Sequence, residues 1–336
     1  MSAAIRIYVV TFRRPILLRR ALKSLIAQTF RDWVAEVVND DPADTQPSAI
    51  IAEFHDPRIQ LSTSTVKRGG TGNFNYAFRS VQEPFASILE DDNWWEPSFL
   101  ERMQAELLAH SNVSFACANE CIWEETAQGV WSNTSQTIWP ASDSVRLAPR
   151  SIEAALQRPL LCNSALLFRT QKSEAWQTPA SIPIDVTEHF RERVVPHPLL
   201  LLHQPLVNYG KTLSSHRQKG NAIWGQYSVL IIGSVFTNLA PHLHTELAQQ
   251  TLKRVRGLSK WEITAFLSAG LFIPEARALW RMATKREKIR HVFTLARHPV
   301  LSAALSRARQ DHAAAWAFLK QGDFANYAKN LTALQA

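Results

Sequence analysis

The stretch that decides the fold is residues 5–28, IRIYVVTFRRPILLRRALKSLIAQ. Its first eight residues form a β-branched and aromatic run, which is typical of a buried strand. Pro15 follows after a short basic turn, and the apolar residues beyond it recur at helical spacing. The stretch therefore predicts a strand, a turn and a helix, in that order.

The same alternation continues through the first 110 residues. Further strands are predicted at AEVVND, RIQLSTS and FASILE, and further helices at AIIAEFH, NFNYAFRSVQ and PSFLERMQAELLAH. Strands that alternate with helices predict a doubly wound α/β fold around a mostly parallel, mixed sheet. Ligands of such sheets bind at the carboxyl ends of the strands, so polar residues there are expected to converge on one crevice.

The chain of 336 residues is longer than one hydrophobic core usually supports. Residues 1–110 and 111–220 are expected to form the two halves of one α/β domain, because strand-like runs continue into the second segment. From residue 221 the pattern changes to long helical stretches, such as PEARALWRMATKREKIRHVFTLA (274–296). Residues 221–336 are therefore predicted to form a C-terminal helical extension.

The composition is that of an ordered globular protein, with 46% hydrophobic and 20% charged residues. Three cysteines, Cys117, Cys121 and Cys162, form no paired framework, and the N-terminus lacks the pattern of a secretory signal, so a cytoplasmic location is expected. No second cysteine pair or histidine pair accompanies Cys117 and Cys121, so no zinc site is predicted. The apolar run YSVLIIGSVFTNLA (227–240) is too short to span a bilayer and is expected to be a core helix.

Positive charge is concentrated in residues 253–309, which carry 13 Lys and Arg against three Glu. Basic residues interleaved with Trp, Phe and Leu have the composition of helices that lie on an anionic membrane surface. A solvated basic face, or a contact between copies in a homo-oligomer, is the simpler alternative. No nucleic-acid recognition module accompanies these residues, so nucleic acid is not an expected partner.

Three consecutive carboxylates, Glu90, Asp91 and Asp92, end the fourth predicted strand within ASILEDDNWWEP (86–97). Adjacent carboxylates repel each other, so a cation or a hydrogen-bonding ligand must offset the repulsion. An N-cap for the next helix would explain one acid but does not need three. Mg²⁺ and Mn²⁺ bind one or two carboxylates together with substrate phosphates. The cluster therefore predicts a divalent metal and a nucleoside diphosphate.

Three blocks of sequence carry a resemblance to a known family: VVTFRRPILLRRALKSLIAQTFRDWVAEVVNDD (9–41), RGGTGNFNYAF (68–78) and ILEDDNWWEPSFLERM (88–103). In this order and spacing they resemble the family 2 glycosyltransferases of the nucleotide-sugar-binding A-type fold. The resemblance covers about residues 5–110 and continues loosely to about 215.

The resemblance implies an enzyme that transfers a hexose from a nucleoside diphosphate donor, with a UDP-sugar favoured, to a glycan or lipid-linked acceptor. It also implies inversion, dependence on Mn²⁺ or Mg²⁺ and a role in polysaccharide biosynthesis. A lipid-linked acceptor would place the chain peripherally at the inner face of a membrane. A noncatalytic nucleotide-sugar-binding protein of the same fold is the alternative.

Five residues receive roles from the resemblance alone. Phe12 is expected to lie against the base of the nucleotide, with Thr11 beside it, and Asp40 to accept a hydrogen bond from the base. Asp91 is expected close to the ribose. Asp92 is expected to bind the metal that bridges the diphosphate.

The chain departs from the family pattern at Val10, Arg13, Phe74 and Glu90. Phe74 stands where an arginine is common, so Lys67 or Arg68 is expected to supply the missing nucleotide contact. The preceding RGGTG lacks the Gly-Lys-Ser/Thr of a phosphate-binding loop, so a nucleoside triphosphatase is not expected. It is interpreted as a turn before a helix, with direct ligand contact as the alternative.

An inverting transfer needs a general base for the acceptor hydroxyl. The matching segment, IPIDVTEHFRERV (182–194), offers Glu188 first, Asp185 second and His189 third. The simpler explanation of Glu188 is an acid in the first turn of a helix, where the helix dipole favours negative charge.

Two further groups of residues are candidates. VNYGKTLSSHRQKG (207–220) resembles a loop that closes over the diphosphate, with Lys211, His216 and Arg217 near phosphate or metal; an exposed solvated loop is the alternative. Of Trp94 and Trp95, one is expected to pack in the core and the other to line the donor or acceptor sugar site.

Overall fold

The computed structural model describes residues 4–62, 64–150, 155–156, 159–213, 221–257 and 260–321. The chain divides into two compact units. Unit 1 comprises the described residues of Met1–Pro149, Leu160–Glu188 and Val195–His216. Unit 2 comprises those of Arg150–Pro159, His189–Val194 and Arg217–Ala336.

Unit 1 is built around one mixed sheet of ten strands. The strands are β1 Ile5–Thr11, β2 Trp33–Asn39, β3 Ile59–Leu61, β4 Phe85–Glu90, β5 Trp94–Trp95, β6 Phe115–Glu125, β7 Trp131–Thr137, β8 Val145–Ala148, β9 Leu166–Arg169 and β10 Leu199–Lys211. Their order is β3-β2-β1-β4-β9-β6-β10-β5, with β7 paired to β6 and β8 paired to β10. The first four strands are parallel, β9 is antiparallel between β4 and β6, and β10 is parallel to β6. The predicted mostly parallel, mixed α/β sheet is confirmed.

The helices of the α/β half are α1 Pro15–Ile26, α2 Gln46–Phe54, α3 Gly69–Ala77 and α4 Phe99–Ala109, and a short helix α5 covers Thr187–Arg191. Helix α1 shows why the opening stretch folds as predicted. Its side chains Leu18, Leu22 and Leu25 are fully buried in the same cluster as Ile7 of β1. Each such side chain contributes about 1.5–3 kcal/mol when it leaves water.

Strands β5, β7 and β8 were not expected from the sequence. Strand β7 is the polar run WSNTSQT, and its residues are only partly buried or exposed. Without a buried face, such a strand has no alternation of apolar and polar residues to reveal it. Strand β5 has only two residues, Trp94 and Trp95, and it forms because they pair with Asn208 and Val207 of β10.

The glycine-rich segment differs from the prediction, because Gly69 and Gly70 belong to the first turn of α3 and do not precede it. The helix start is satisfied from a distance: Asp40 Oδ1 accepts hydrogen bonds from the amides of Arg68 (3.0 Å) and Gly69 (2.8 Å). A Cβ on Gly70 would lie 2.5 Å from Ile184 Cδ1. This glycine therefore allows close packing of α3 on the segment that leads to Asp185.

The described part of unit 2 is helical. Its α-helices are α6 Asn221–Thr237, α7 His244–Val255, α8 Lys260–Phe272, α9 Arg277–Met282, α10 Lys285–Arg297, α11 Pro299–Asp311 and α12 Ala313–Leu319. The predicted core helix is α6, in which Val229, Leu230, Val235 and Phe236 are fully buried. Within the described ranges no single helix is long and apolar enough to cross a bilayer, although α6 and the adjoining segment 241–255, bent by 117°, reach that length and hydrophobicity together.

The sequence PEARALWRMATKREKIRHVFTLA, predicted as one helical stretch, is interrupted between α9 and α10. Thr284 lies between α9 and α10, has an extended backbone and is the N-cap of α10. Its hydroxyl accepts from the amide of Glu287 (3.2 Å), and the Glu287 carboxylate accepts from the amide of Thr284 (2.6 Å). This capping box begins a new helix where helical periodicity alone shows no break.

Candidate functional site

The carboxyl ends of β1, β2 and β4 meet at one edge of the sheet in unit 1. Thr11 pairs with Asn39, and Val10 pairs with Glu90. Beyond these pairs, the amide of Asp40 donates to the carbonyl of Thr11 (3.1 Å) and the amide of Asp91 donates to the carbonyl of Val10 (3.1 Å). The register of the sheet therefore brings the predicted acids Asp40 and Asp91 to either side of the end of β1.

Asp91 is the centre of a hydrogen-bond network at this edge and is 4% exposed. Its Oδ2 accepts from the hydroxyl of Thr11 (2.8 Å) and from the amide of Phe12 (3.4 Å). Its Oδ1 accepts from Nη1 of Arg14 (3.2 Å), which also donates to Oδ2 of Asp92 (2.9 Å). One guanidinium therefore partly neutralises both carboxylates.

Negative charge on the carboxylates at the end of β4 is energetically unfavourable, and their pKa values are raised. Burial first, and then repulsion from Asp92, raise the pKa of Asp91 to about 6, although Arg14 and the Thr11 hydroxyl oppose the shift. Burial also raises the pKa of Asp92 against the attraction of Arg14. The pKa of Glu90 rises well above its ordinary value, because it is buried and faces Asp92 and Glu188. A cation at this edge would offset these penalties.

The donor set at Asp92 suits a hard divalent cation that is also held by a ligand. Within the described residues, no three or more His, Cys, Asp or Glu side chains are grouped to hold a metal ion. A site with one protein carboxylate is incomplete alone but fits Mg²⁺ or Mn²⁺, which take their remaining oxygens from water and substrate phosphates. The residues present therefore fit a metal that binds with the diphosphate.

Phe12 lies next to the acids with its ring only partly buried. Nζ of Lys67 lies 4.5 Å from the centre of this ring, so Lys67 is placed with the predicted nucleotide residues. Asp40 uses Oδ1 to begin α3, and the described residues provide no hydrogen-bond partner for its Oδ2. Phe12, Lys67 and Asp40 thus border the same end of β1.

Arg68 points its guanidinium elsewhere, onto the ring of Tyr76 at 4.1 Å. Among the described residues, its amide is the group that contacts a predicted site residue, Asp40. Phe74, which replaces a common arginine of the family, is 1% exposed and is part of the core. Of the two residues expected to compensate for Phe74, Lys67 is the one that lies beside Phe12.

Glu188 lies in the first turn of α5 and near other buried acids. Its Oε1 accepts from the amide of Asn163 (2.8 Å). Its charge contributes to the raised pKa values of Glu90, Glu120 and Cys162. Glu90 at the end of β4, Glu120 in the middle of β6 and Glu188 in α5 therefore lie close enough for their charges to interact, and the sequence spacing contained no signal of this.

The two rival bases differ from Glu188. Asp185 lies in a 3₁₀ turn, Ile184–Val186, that packs beside α3, and its side chain is partly exposed. His189 is assigned to unit 2, where burial and then the charge of Arg193 lower its pKa to about 4. At neutral pH His189 is therefore uncharged.

Of the two tryptophans after the acids, Trp95 is a core residue and Trp94 is partly exposed, and a sugar contact of Trp94 stays a prediction. Trp95 is 2% exposed, stacks on Phe99 and donates from Nε1 to the carbonyl of Ser164 (2.7 Å), so its ring is unavailable to a sugar. Trp94 is partly exposed and packs near Trp123, with ring centres 5.2 Å apart.

No sequence pattern pointed to Arg20. Its guanidinium lies between the rings of Trp94 (3.9 Å) and Trp131 (4.0 Å), and its Nη2 donates to the carbonyl of Asp92 (2.7 Å). Burial lowers the pKa of Arg20 to about 10. Arg14 was also missed, although its place directly after the strand end was a usable signal.

Lys211 ends β10 and forms an exposed ion pair with Glu124 (3.0 Å). Its predicted partners in the loop, His216 and Arg217, lie outside the described residues. The role of this loop stays a prediction.

The sequence of residues 6–155 matches the family described as Glycosyl transferase family 2. This part of the chain belongs to that family. The matched segment contains β1 to β4 with their acidic ends, so the family 2 resemblance found in the motifs is confirmed. Glu188 and the C-terminal helices lie beyond it.

Among relatives, the family 2 segment is similar to UDP-Glc:alpha-D-GlcNAc-diphosphoundecaprenol beta-1,3-glucosyltransferase WfgD of Escherichia coli. The two are 31% identical over 99 residues, which are 30% of this chain and 38% of WfgD. The chain thus spans well under half the length of this relative.

Among solved structures, the chain is similar to S. aureus TarS 1-349. The complex of TarS 1-349 with UDP-GlcNAc gives a TM-score of 0.58 at 13% identity, covering 97% of this chain and 92% of that chain. The complex with UDP gives 0.55 at 14% identity, with 97% and 91% covered. At such identity the likeness supports the fold, and the A-type fold expected for a family 2 domain is confirmed.

Proposed function

We propose that the chain is an inverting glycosyltransferase that moves one sugar from a UDP-sugar to a glycan or lipid-linked acceptor in polysaccharide biosynthesis. The observation that carries the proposal is the convergence of Thr11, Phe12 and Arg14 on Asp91 and Asp92 at the carboxyl edge of a family 2 domain. The name of WfgD gives UDP-glucose as donor and a diphosphoundecaprenol-linked acceptor, and TarS binds UDP and UDP-GlcNAc.

The donor nucleotide is proposed to lie along the end of β1. A base stacked on the partly exposed ring of Phe12 would lie beside Asp40, whose Oδ2 has no partner within the described residues. A carboxylate oxygen there can accept from a ring N–H of uracil. Asp91 would accept from ribose hydroxyls, and Lys67 would add positive charge near the phosphates.

Asp92 would hold Mn²⁺ or Mg²⁺ together with the diphosphate. When bound, such an ion supplies positive charge that stabilises the departing diphosphate. Arg14, which already contacts Asp91 and Asp92, places a second positive charge at the same edge. Arg20 holds the carbonyl of Asp92 and so orients the loop that carries the ligand.

Glu188 is proposed as the general base, with Asp185 as the rival. The base must remove the proton of the acceptor hydroxyl while that oxygen attacks the anomeric carbon opposite the diphosphate. Glu188 lies near Glu90 and Glu120, whose pKa values its charge helps to raise. Attack from the face opposite the leaving group inverts the anomeric centre.

Isothermal titration of UDP with and without Mn²⁺ tests the donor site. We expect Mn²⁺ to tighten UDP binding by at least about 10-fold, and Asp92→Asn to abolish this enhancement because its amide is a poor metal ligand. Asp32→Asn, an exposed acid at the opposite end of β2, is the matched control. Equal UDP affinity for the parent and Asp92→Asn, at every Mn²⁺ concentration, would contradict the assignment.

Transfer assays with a panel of UDP-sugars and NMR of the product test the chemistry. Glu188→Gln should lower kcat by about 10²–10⁴-fold while UDP affinity is kept, and the product should have the opposite anomeric configuration to the donor. The same loss in Asp185→Asn, with an active Glu188→Gln, would assign the base to Asp185. A parent that binds UDP but transfers nothing would favour the noncatalytic alternative.

A further inference from the structure

Helix α10 of unit 2 exposes an apolar strip toward solvent. Ile289, Val292 and Phe293 lie at positions i, i+3 and i+4, and are 58%, 53% and 62% exposed. This spacing places the three side chains on one side of the helix. The helix is held by its other side, where His291, Thr294 and Leu295 are buried.

Basic residues border this strip. Arg286, Arg290 and Arg297 are exposed on α10, and within the described residues none of them forms a salt bridge. Residues 281–297 carry six Lys and Arg against one acid, Glu287. Glu287 is directed away from the strip, because it pairs with Arg256 (2.8 Å) and caps the helix through Thr284.

We propose that the α10 surface, formed by Arg286, Ile289, Arg290, Val292, Phe293 and Arg297, docks the chain on an anionic lipid bilayer. Apolar side chains flanked by cations are the pattern of a helix that lies in the membrane interface, with the apolar side among the acyl chains and the cations at the headgroups. A lipid-linked acceptor is held in such a bilayer, so this proposal extends the proposed function to the place where the acceptor is found. It rests on the proposed function only for the identity of that acceptor.

Other occupants fit the surface less well. A second copy of the chain would bring two strongly positive surfaces together, and like charges repel across an interface. A nucleic acid would pair with the arginines but would leave Ile289 and Phe293 without an apolar partner. The anionic bilayer satisfies both the charge and the apolar side chains.

Cosedimentation with vesicles tests the proposal on the full chain. The vesicles are phosphatidylcholine alone, or phosphatidylcholine with about one third phosphatidylglycerol to supply negative charge. The parent should bind only the anionic vesicles, and added salt should weaken the binding without abolishing it, because the apolar contacts are not screened.

Two double variants separate the two parts of the surface. Ile289→Ser with Phe293→Ser removes the apolar contacts, and Arg286→Glu with Arg290→Glu reverses the charge. Each should lower the partition coefficient on anionic vesicles by at least about 10-fold.

The controls alter exposed side chains elsewhere in unit 2. Ile223→Ser with Leu271→Ser, at side chains 38% and 39% exposed, matches the apolar variant. Lys253→Glu with Arg277→Glu matches the charge variant. Both controls should bind vesicles within about 2-fold of the parent.

Parent-like vesicle binding by both α10 variants would overturn the proposal, as would equal binding of the parent to neutral vesicles or binding to neither type. A parent dimer that dissociates in the Ile289/Phe293 variant, measured by light scattering, would assign the surface to self-association and also overturn it. UDP binding and thermal unfolding of each variant report folding. Because vesicle binding needs no substrate, failure of the transfer assay leaves this result unaffected.

Discussion

At the scale of single residues, the acids of the candidate site differ in how their charge is satisfied. Asp91 has three hydrogen-bond donors, whereas Glu120 is 4% exposed and its Oε1 has no partner within the described residues. Burial raises the pKa of Glu120 to about 7, with a further contribution from Glu188, although a hydrogen bond with Cys162 opposes it. Glu120 therefore carries its proton for part of the time at neutral pH.

The raised pKa of Glu120 predicts a pH-dependent cost of stability. In the unfolded chain the carboxyl ionises near its ordinary pKa of 4.5, but in the folded chain only near 7. The stabilisation from keeping it protonated is complete below pH 4.5 and is lost as pH rises through 7. Glu120→Gln keeps the shape of the side chain without the charge. The unfolding temperature of this variant minus that of the parent should therefore rise as the pH is raised from 5 to 8.

A pH series of thermal unfolding measures this difference. Glu101→Gln, at an exposed acid, is the control and should follow the parent. If the difference in unfolding temperature between the parent and Glu120→Gln is the same at every pH, the pKa of Glu120 does not differ between the folded and the unfolded chain, and the argument from burial is wrong.

At the scale of elements, the loop between β4 and β5 is held from two sides. Helix α1 contributes Arg20, which donates to the carbonyl of Asp92 (2.7 Å). Strand β10 contributes Gly210, whose amide donates to Oδ1 of Asn93 (2.9 Å). The backbone of β10 comes so close that a Cβ on Gly210 would lie 2.1 Å from the carbonyl oxygen of Asp92. The position of the proposed metal ligand therefore depends on two elements far apart in the sequence.

Gly210→Ala should displace the loop that carries Asp92. The added methyl would also lie 3.0 Å from the ring of Trp131, so it cannot be accommodated on that side. We expect the Mn²⁺-dependent affinity for UDP to fall by at least about 10-fold, because a shift of this loop misplaces the carboxylate. Titration calorimetry measures the change.

Gly257→Ala is the matched control, since its Cβ would meet nothing within 4 Å. Circular dichroism and thermal unfolding show whether Gly210→Ala still folds. A folded Gly210→Ala protein with the UDP affinity of the parent would show that the close approach of β10 does not position Asp92.

At the scale of the whole molecule, the two compact units carry different chemistry. The family 2 segment and the acidic strand ends lie in unit 1, and the concentration of basic residues at 253–309 lies in unit 2. The proposals assign the nucleotide to unit 1 and the bilayer to α10 of unit 2. The two ligands should therefore be detectable separately.

Hydrogen exchange read by mass spectrometry can detect the two ligands in one chain. UDP with Mn²⁺ should slow amide exchange at the ends of β1, β2 and β4 and at the start of α3, because opening there must first release the ligand. Anionic vesicles should slow exchange in α10 and leave those strand ends unchanged. Protection of α10 by UDP alone, or of the strand ends by vesicles alone, would contradict this separation.

The sequence by itself determined the alternation of strands and helices, the acids at the strand ends and the family. Each of these depends on a local window: β1 is a short apolar run because Ile5, Ile7, Tyr8 and Val9 are all buried, and Asp91 and Asp92 follow directly from β4. Such patterns can be recognised without knowing which elements pack together, because the period of a buried strand or helix face appears directly in the order of its apolar residues.

Only the tertiary structure decided which distant residues meet. The contact of Arg14 with Asp91, the guanidinium of Arg20 between two tryptophans and the approach of Glu188 to Glu120 all join segments far apart in the chain. Local periodicity contains no information on these neighbours, because they are set by strand order, sheet register and the packing of helices on the sheet. The same reason applies to α10, which was predicted as part of one basic helical stretch. Which of its apolar residues are exposed depends on the helices that pack against its buried side, and the sequence does not specify those helices.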